Sequence, residues 1–196
     1  MDRRVERGQA TRDQLVEIAT RLFAEHGYDG TSIDAVLQES GVSRGALYHH
    51  FSGKDALFEA VYLKTMRDAG RRTMQATRAE SEPLASLRAG CLAWIEQVAD
   101  PVVRRIVLVD APSVIGWQRW REYDDKMTLG VMKAWTAQAA ADGLLPAGQS
   151  DLFAHVLLAS INEIALVTAR AEDERDAIEV ATAALDEFLQ RLFSRR

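Results

Sequence analysis

The sequence predicts an all-α protein of about nine helices, a small N-terminal domain of three helices followed by a larger helical domain. Three observations carry that expectation. Apolar residues recur at helical spacing along the whole 196-residue chain, with no strand-like alternation and only four prolines. The segment Thr31–Asp55 holds three helix-start signals within about two dozen residues. From Pro83 the composition shifts and a second set of apolar-periodic segments begins. A chain of this length can bury a real core, either as one domain or as a small domain fused to a larger one.

Helix one is expected to start at Thr11, with Gln14 as its capping partner, and to stop at Gly27. It carries Leu15, Ile18, Ala19, Leu22 and Phe23 on one face. Thr31 can cap the second helix, which places Ile33, Val36 and Leu37 on one face, and Gly41 can take the positive φ that ends it. Ser43 can cap the third helix, which Phe51 closes; Val36, Leu47 and Phe51 should face the first helix. Ser52–Asp55 repeats a capping box, and the fourth helix should run past Met66, longer than the small domain requires. These signals put the first domain at 1–55, with the fourth helix connecting from 53, and the second domain at 56–196.

In the second domain Leu84, Leu87, Cys91, Trp94, Ile95 and Val98 mark one helix, and Pro101 opens a short one through Val109. Pro112 and Gly116 interrupt the pattern, after which a long helix should run from about Trp117 to Asp142. Two more are expected, at about 151–170 and 176–193, the first apolar on several sides.

Two short helices joined by a glycine turn form the helix-turn-helix pattern of a DNA reader. In such a unit the N-terminal side chains of the second helix read base edges, while neighbouring groups hold phosphates. Arg44 offers a fork that can pair with guanine O6 and N7. Gly45 and Ala46 allow close approach, and Ala46 can touch a thymine methyl. Thr31 and Ser32 place hydroxyls and a helix start toward the backbone, and Ser43 caps the reader helix.

The run Thr11–Phe58, above all G-V-S-R-G-A-L-Y-H-H-F-S-G-K-D-A-L-F, resembles the DNA-binding domain of the TetR family of bacterial transcriptional regulators. The resemblance implies mainly phosphate contacts for Tyr48, His49 and Lys54. Taken singly, each of these could equally be an ordinary surface residue. It also implies a ligand-binding and dimerisation role for the second domain, and a mechanism in which ligand shifts helix 4 and releases the operator.

Charge does not by itself announce a nucleic-acid binder. The chain carries a net charge of −5, and residues 1–55 hold seven Lys and Arg against nine Asp and Glu, so local arrangement must carry the argument. Arg3, Arg4, Arg7 and Arg12 crowd the N-terminal end, where an arm could enter the adjacent minor groove or be a disordered tail. One cysteine, Cys91, excludes an internal disulfide and a C-x-x-C motif. The first residues are charged and no run of about 18 apolar residues is read, so a cytoplasmic protein without a membrane partner is expected. Adjacent helical histidines point about 100° apart, which excludes His49–His50 as a metal site, and no cofactor is expected. Phosphate-loop, dinucleotide, H-E-x-x-H and G-x-S-x-G patterns are all missing, so an enzyme is not expected.

One reader unit covers half a site, so two units ~34–36 Å apart on palindromic double-stranded DNA would supply specificity. The last two helices carry more apolar surface than one seam buries, and a four-helix homodimer interface through Leu185, Leu189 and Leu192 is expected. Trp94, Trp117, Trp120, Tyr123 and Met127, with the polar His155 and Asn162, are candidates for a pocket that binds a largely apolar small molecule. Core packing explains the same aromatic residues. The alternatives to a ligand-responsive repressor are a constitutive or architectural DNA-binding protein, or an enzyme sited in the helical domain.

Overall fold

The computed structural model describes residues 3–146 and 148–193, and among these every regular element is helical. Helix α1 spans Arg3–Gly30, so it begins well before the expected Thr11. The reason is local. Thr11 donates its hydroxyl back to the Arg7 carbonyl at 3.0 Å, a bond made inside a helix, and Gln14 donates to the Ser40 carbonyl at 3.0 Å rather than closing a capping box. Arg7 therefore sits on a helix and not in an extended arm; the side chains of Arg3 and Arg4 lie outside the described residues. The expected stop at Gly27 is where the backbone leaves helical geometry, with φ 75° and ψ 174°.

Helix α2, Ile33–Ser40, is capped by Ser32, whose hydroxyl oxygen accepts from the Ala35 N–H at 3.0 Å. Thr31 does not cap it. The turn ends at Gly41, with φ 65° and its N–H donated to the Leu37 carbonyl. Helix α3, Arg44–His50, is capped by Ser43 and closed by Phe51, as the sequence indicates. Helix α4 is Lys54–Arg78 and α5 is Pro83–Ala99, with proline in the first turn, where no N–H is missed.

Helix α6 covers residues 101–114 and passes through Pro112, where the sequence suggested a break. Its middle, Arg104–Asp110, is π-helical, and Ala111 donates to the Ile106 carbonyl just before the proline. That wider turn accommodates a residue without an N–H, and the real break falls at Gly116, with φ 88°. Helix α7 covers residues 117–141 with a second π-helical stretch at Asp125–Leu129; α8 is Ser150–Thr168 and α9 is Glu174–Leu192.

The chain divides into two packed units. One comprises the residues up to Arg67 together with Pro101–Trp120; the other comprises Asp68–Asp100 and Arg121 onward. In the first, α1 packs on α2, α3 and α6. Leu15, Val16, Ala19 and Phe23 meet a core completed by Val36, Leu47, Phe51, Leu57, Phe58 and Ile106, all buried. Each fully buried large apolar side chain contributes about 1.5–3 kcal/mol by transfer alone, so this set locks the short α2 and α3, which could not stand by themselves.

In the second unit α8 packs on α5, α7 and α9. Its Leu157, Leu158, Ile161 and Ala165 meet Leu87, Cys91, Ile95 and Leu129, and Leu185 and Leu189 of α9 complete the core. Helix α8 has the length and mean hydropathy of a membrane span, but Asp151, His155, Asn162 and Glu163 interrupt it, so it holds no unbroken run of about 18 apolar residues. Burial pushes the Cys91 thiol up to about 12.

Candidate nucleic-acid interface

Helix α3 sorts its residues by face. At about 100° per residue, Arg44, Gly45, Tyr48 and His49 fall within an arc of roughly 140°, and all four are exposed. Leu47 points away from that arc and is 0% exposed, while Phe51, the extended residue that closes the helix, is 4% exposed. Apolar burial on one face therefore fixes which side chains the helix presents on the other. A Cβ built at Gly45 would meet nothing within 4 Å, and Ala46 is half-buried, so the N-terminal end of the helix is open to close approach. Ser32 and Ser43 are exposed at the starts of α2 and α3, their hydroxyl oxygens accepting from backbone N–H groups.

Thr31 departs from expectation. It is 2% exposed and donates its hydroxyl to the carbonyls of Leu22 at 3.0 Å and Gly27 at 2.8 Å, which ties down the end of α1. A hydroxyl so placed braces the turn from inside and does not reach a phosphate.

Lys54, the first residue of α4, holds its ammonium 4.0 Å from the centroid of the Tyr28 ring. Tyr28 donates its hydroxyl to Asp55, and its backbone N–H donates to Asp110 at 3.0 Å. Burial first, then the hydrogen bond to Asp55, pushes the Tyr28 phenol up to about 12. Arg12 lies over the Phe51 ring at 5.3 Å. Arg44 is ion-paired with Asp34 on α2. Sequence reasoning missed Tyr28, Asp34, Asp55 and Asp110 as partners. An acid in the first turn of α2 reads as dipole compensation, and only the turn at Gly41 brings Asp34 to Arg44.

The ligand-binding candidates divide between the units. In the first, Trp117 is 65% exposed, while Trp120 is buried and donates its indole N–H to the Val107 carbonyl at 3.3 Å. In the second, Trp94 donates to the Asn162 side chain at 2.8 Å, and His155 Nδ1 lies 3.2 Å from Arg121. Tyr123 and Met127 are half-buried on α7. The polar members are thus already engaged with protein groups.

The dimer candidates are also redistributed. Leu185 and Leu189 are 0% and 3% exposed and belong to the unit's own core, with Leu192 half-buried beside them. The neighbouring face of α9 and the adjoining face of α8 form an open groove of 510 Å³ whose lining includes Ile164, Val167, Ala177, Val180 and Ala184. Val167 and Val180 stand 59% and 68% exposed there. The sequence signal that could have found this face is the spacing of 177, 180, 181 and 184, whose small side chains make it fainter than the leucines.

Two family models match the chain. Residues 15–61 match the bacterial regulatory proteins of the tetR family, and residues 84–192 match the tetracyclin repressor-like C-terminal domain. The HTH-type transcriptional regulator AcrR of Shigella flexneri is 29% identical over 101 residues, 51% of this chain and 47% of AcrR. The HTH-type transcriptional repressor AcnR of Corynebacterium glutamicum is 45% identical over 51 residues, 26% of this chain and 27% of AcnR. The chain thus spans about half or less of the length of these curated relatives. Among solved structures, a TetR-family transcriptional regulator from Pectobacterium atrosepticum is 26% identical with a TM-score of 0.78, covering 100% of this chain and 99% of its own. The fatty acid degradation regulator FadR from Bacillus halodurans, 16% identical, shares the fold with a TM-score of 0.74 over 93% of this chain and 94% of its own.

Proposed function

The chain belongs to the TetR family of bacterial regulatory proteins, and from that premise we propose that it is a sequence-specific, DNA-binding transcriptional repressor, a homodimer released from its operator by a small molecule. The observation that carries this reading is the exposed arc of α3, where Arg44, Gly45, Tyr48 and His49 stand opposite a fully buried Leu47. Arg44 reads a guanine, Gly45 and Ala46 admit the helix to the major groove, and Ser32, Ser43, Tyr48, His49 and Lys54 fix its register on phosphates. Function divides at 55 and 56, with residues 1–55 reading DNA and 56–196 sensing and pairing. The protein works in the cytoplasm, where its operator lies.

Pairing supplies the spacing of two reader helices, and the face of α8 and α9 around Val167 and Val180 is the surface for a second copy. The effector is largely apolar, in keeping with the aromatic and methionine side chains of α5 and α7. Helix α4 starts at Lys54 and extends to Arg78, so a change in its tilt moves a phosphate anchor. Release requires only that the effector bind the non-reading conformer more tightly, and DNA must then weaken effector binding by the same factor.

The test is selection of duplexes from random DNA by the full chain, followed by footprinting. Arg44→Ala is expected to cost ~1–3 kcal/mol and to relax preference at one base pair, while Lys54→Ala weakens all sequences alike and lowers the salt slope by about 1. A chain that enriches no sequence ends the repressor reading.

A further inference from the structure

We propose that Asp34 aims Arg44 and thereby determines specificity at the base pair that Arg44 reads. Asp34 stands in the first turn of α2, and its Oδ1 accepts a hydrogen bond from Nη2 of Arg44, the first residue of α3. The reader helix offers little to restrain a long guanidinium side chain at that point. Gly45 has no side chain, open space surrounds its Cα, and Ala46 ends at Cβ. The restraint comes from the neighbouring helix. Both helices are rigidly seated, through Val36 and Leu47, each 0% exposed, so a bond between their first turns holds the guanidinium in the frame of the domain.

The bond leaves the chemistry of base reading intact. A guanidinium carries five N–H donors, two of them on Nη2, so one donation to Asp34 leaves the second Nη2 N–H and those of Nη1 as a fork that matches guanine O6 and N7. The two side chains are 57% and 72% exposed, so the pair contributes little to folding stability. Its effect is on orientation, which discriminates among bases. A carboxylate beside a phosphate-facing surface also opposes attachment to arbitrary DNA, in a segment whose acidic residues already outnumber its basic ones. Asp34 thus acts through Arg44 as a positioning residue, lowering affinity for any duplex while sharpening preference for one.

This inference rests on the DNA-reading role of α3. The experiment measures binding of the full chain to its selected duplex, to variants of that duplex changed at each base pair, and to a scrambled duplex, at two salt concentrations. The chains compared are the native one, Asp34→Ala, Asp34→Asn, Asp34→Ser, Arg44→Ala and the double variant Asp34→Ala/Arg44→Ala. Asp34→Ala is expected to reduce discrimination about tenfold at the Arg44 base pair and nowhere else, and to bind scrambled DNA more tightly. Asp34→Asn, which keeps an acceptor oxygen, should retain most of the discrimination. Asp34→Ser, too short to reach the guanidinium, should show the same loss as Asp34→Ala and keeps the question answerable if the alanine variant fails to fold. The double variant should match Arg44→Ala at that base pair, with unchanged thermal midpoints throughout. Unchanged discrimination in Asp34→Ala, loss spread over all base pairs, or penalties that multiply in the double variant would each overturn the role of Asp34 while leaving DNA reading in place. A native chain that selects no sequence overturns both.

Discussion

Asp110 of α6 accepts a hydrogen bond from the backbone N–H of Tyr28 at 3.0 Å, at the turn where α1 ends. The same tyrosine carries the Lys54 ammonium on its ring and donates its hydroxyl to Asp55. One turn therefore joins α6, the end of α1 and the start of α4.

Removing the carboxylate isolates the value of that tie. Asp110→Ala leaves the Tyr28 N–H without its charged acceptor and is expected to destabilise the fold by about 2 kcal/mol, seen as a lower denaturant midpoint. Asp110→Asn, which keeps an acceptor, should lose less. Equal midpoints for the native and alanine chains would show that solvent replaces the bond.

Gly27 holds a backbone region, φ 75° and ψ 174°, that is essentially reserved for glycine, and a methyl there would collide with the Arg105 guanidinium. Gly27→Ala is expected to cost about 1–3 kcal/mol from backbone strain. Adding Arg105→Ala should recover only the steric part. Gly41→Ala, at φ 65° with open space around it, should cost about 1–2 kcal/mol. Full recovery in the Gly27→Ala/Arg105→Ala chain would place the whole effect in the collision.

The two faces of α9 should respond differently to substitution. Leu185→Ala opens a cavity in a fully buried site and is expected to cost about 2–5 kcal/mol of folding stability. Val180→Asp, at a 68% exposed position, should leave the monomer fold intact and weaken self-association, read by sedimentation and by lowered operator affinity. Retention of a tight dimer by Val180→Asp would move the interface elsewhere.

Asp124 supplies a pH prediction. It is 6% exposed, and burial raises its pKa above the ordinary aspartate value, against the opposing pull of Arg121 at 3.5 Å. With the folded pKa above the unfolded one, its contribution to stability is fully present below the usual aspartate range, near ~3.9, and is lost as pH rises through the folded value. Asp124→Asn, which cannot ionise, should therefore melt higher than the native chain at neutral pH, with the difference shrinking as the solution is acidified. A variant that melts lower at pH 7 would show that the attraction of Arg121 outweighs burial.

The sequence by itself determined the helical class, the order of the helices and the inward and outward faces of α3. Those follow from local chemistry: period, caps at Ser43 and Phe51, and a glycine at 41 able to take positive φ. What it left open depended on which of two chemically acceptable partners a group would meet in space. Thr31 had a hydroxyl at a helix start and was drawn inside by two carbonyls of α1; Leu185 and Leu189 were apolar enough for a partner and were taken by their own core. Pro112 read as a break, and a π-helical turn upstream carried the helix through it. Arg44 and Asp34 could be recognised singly, as a base reader and as an acid in a first turn. Only the packing of Val36 and Leu47 across the Gly41 turn brought them into one ion pair, because burial fixes the relative placement of two helices and local sequence cannot.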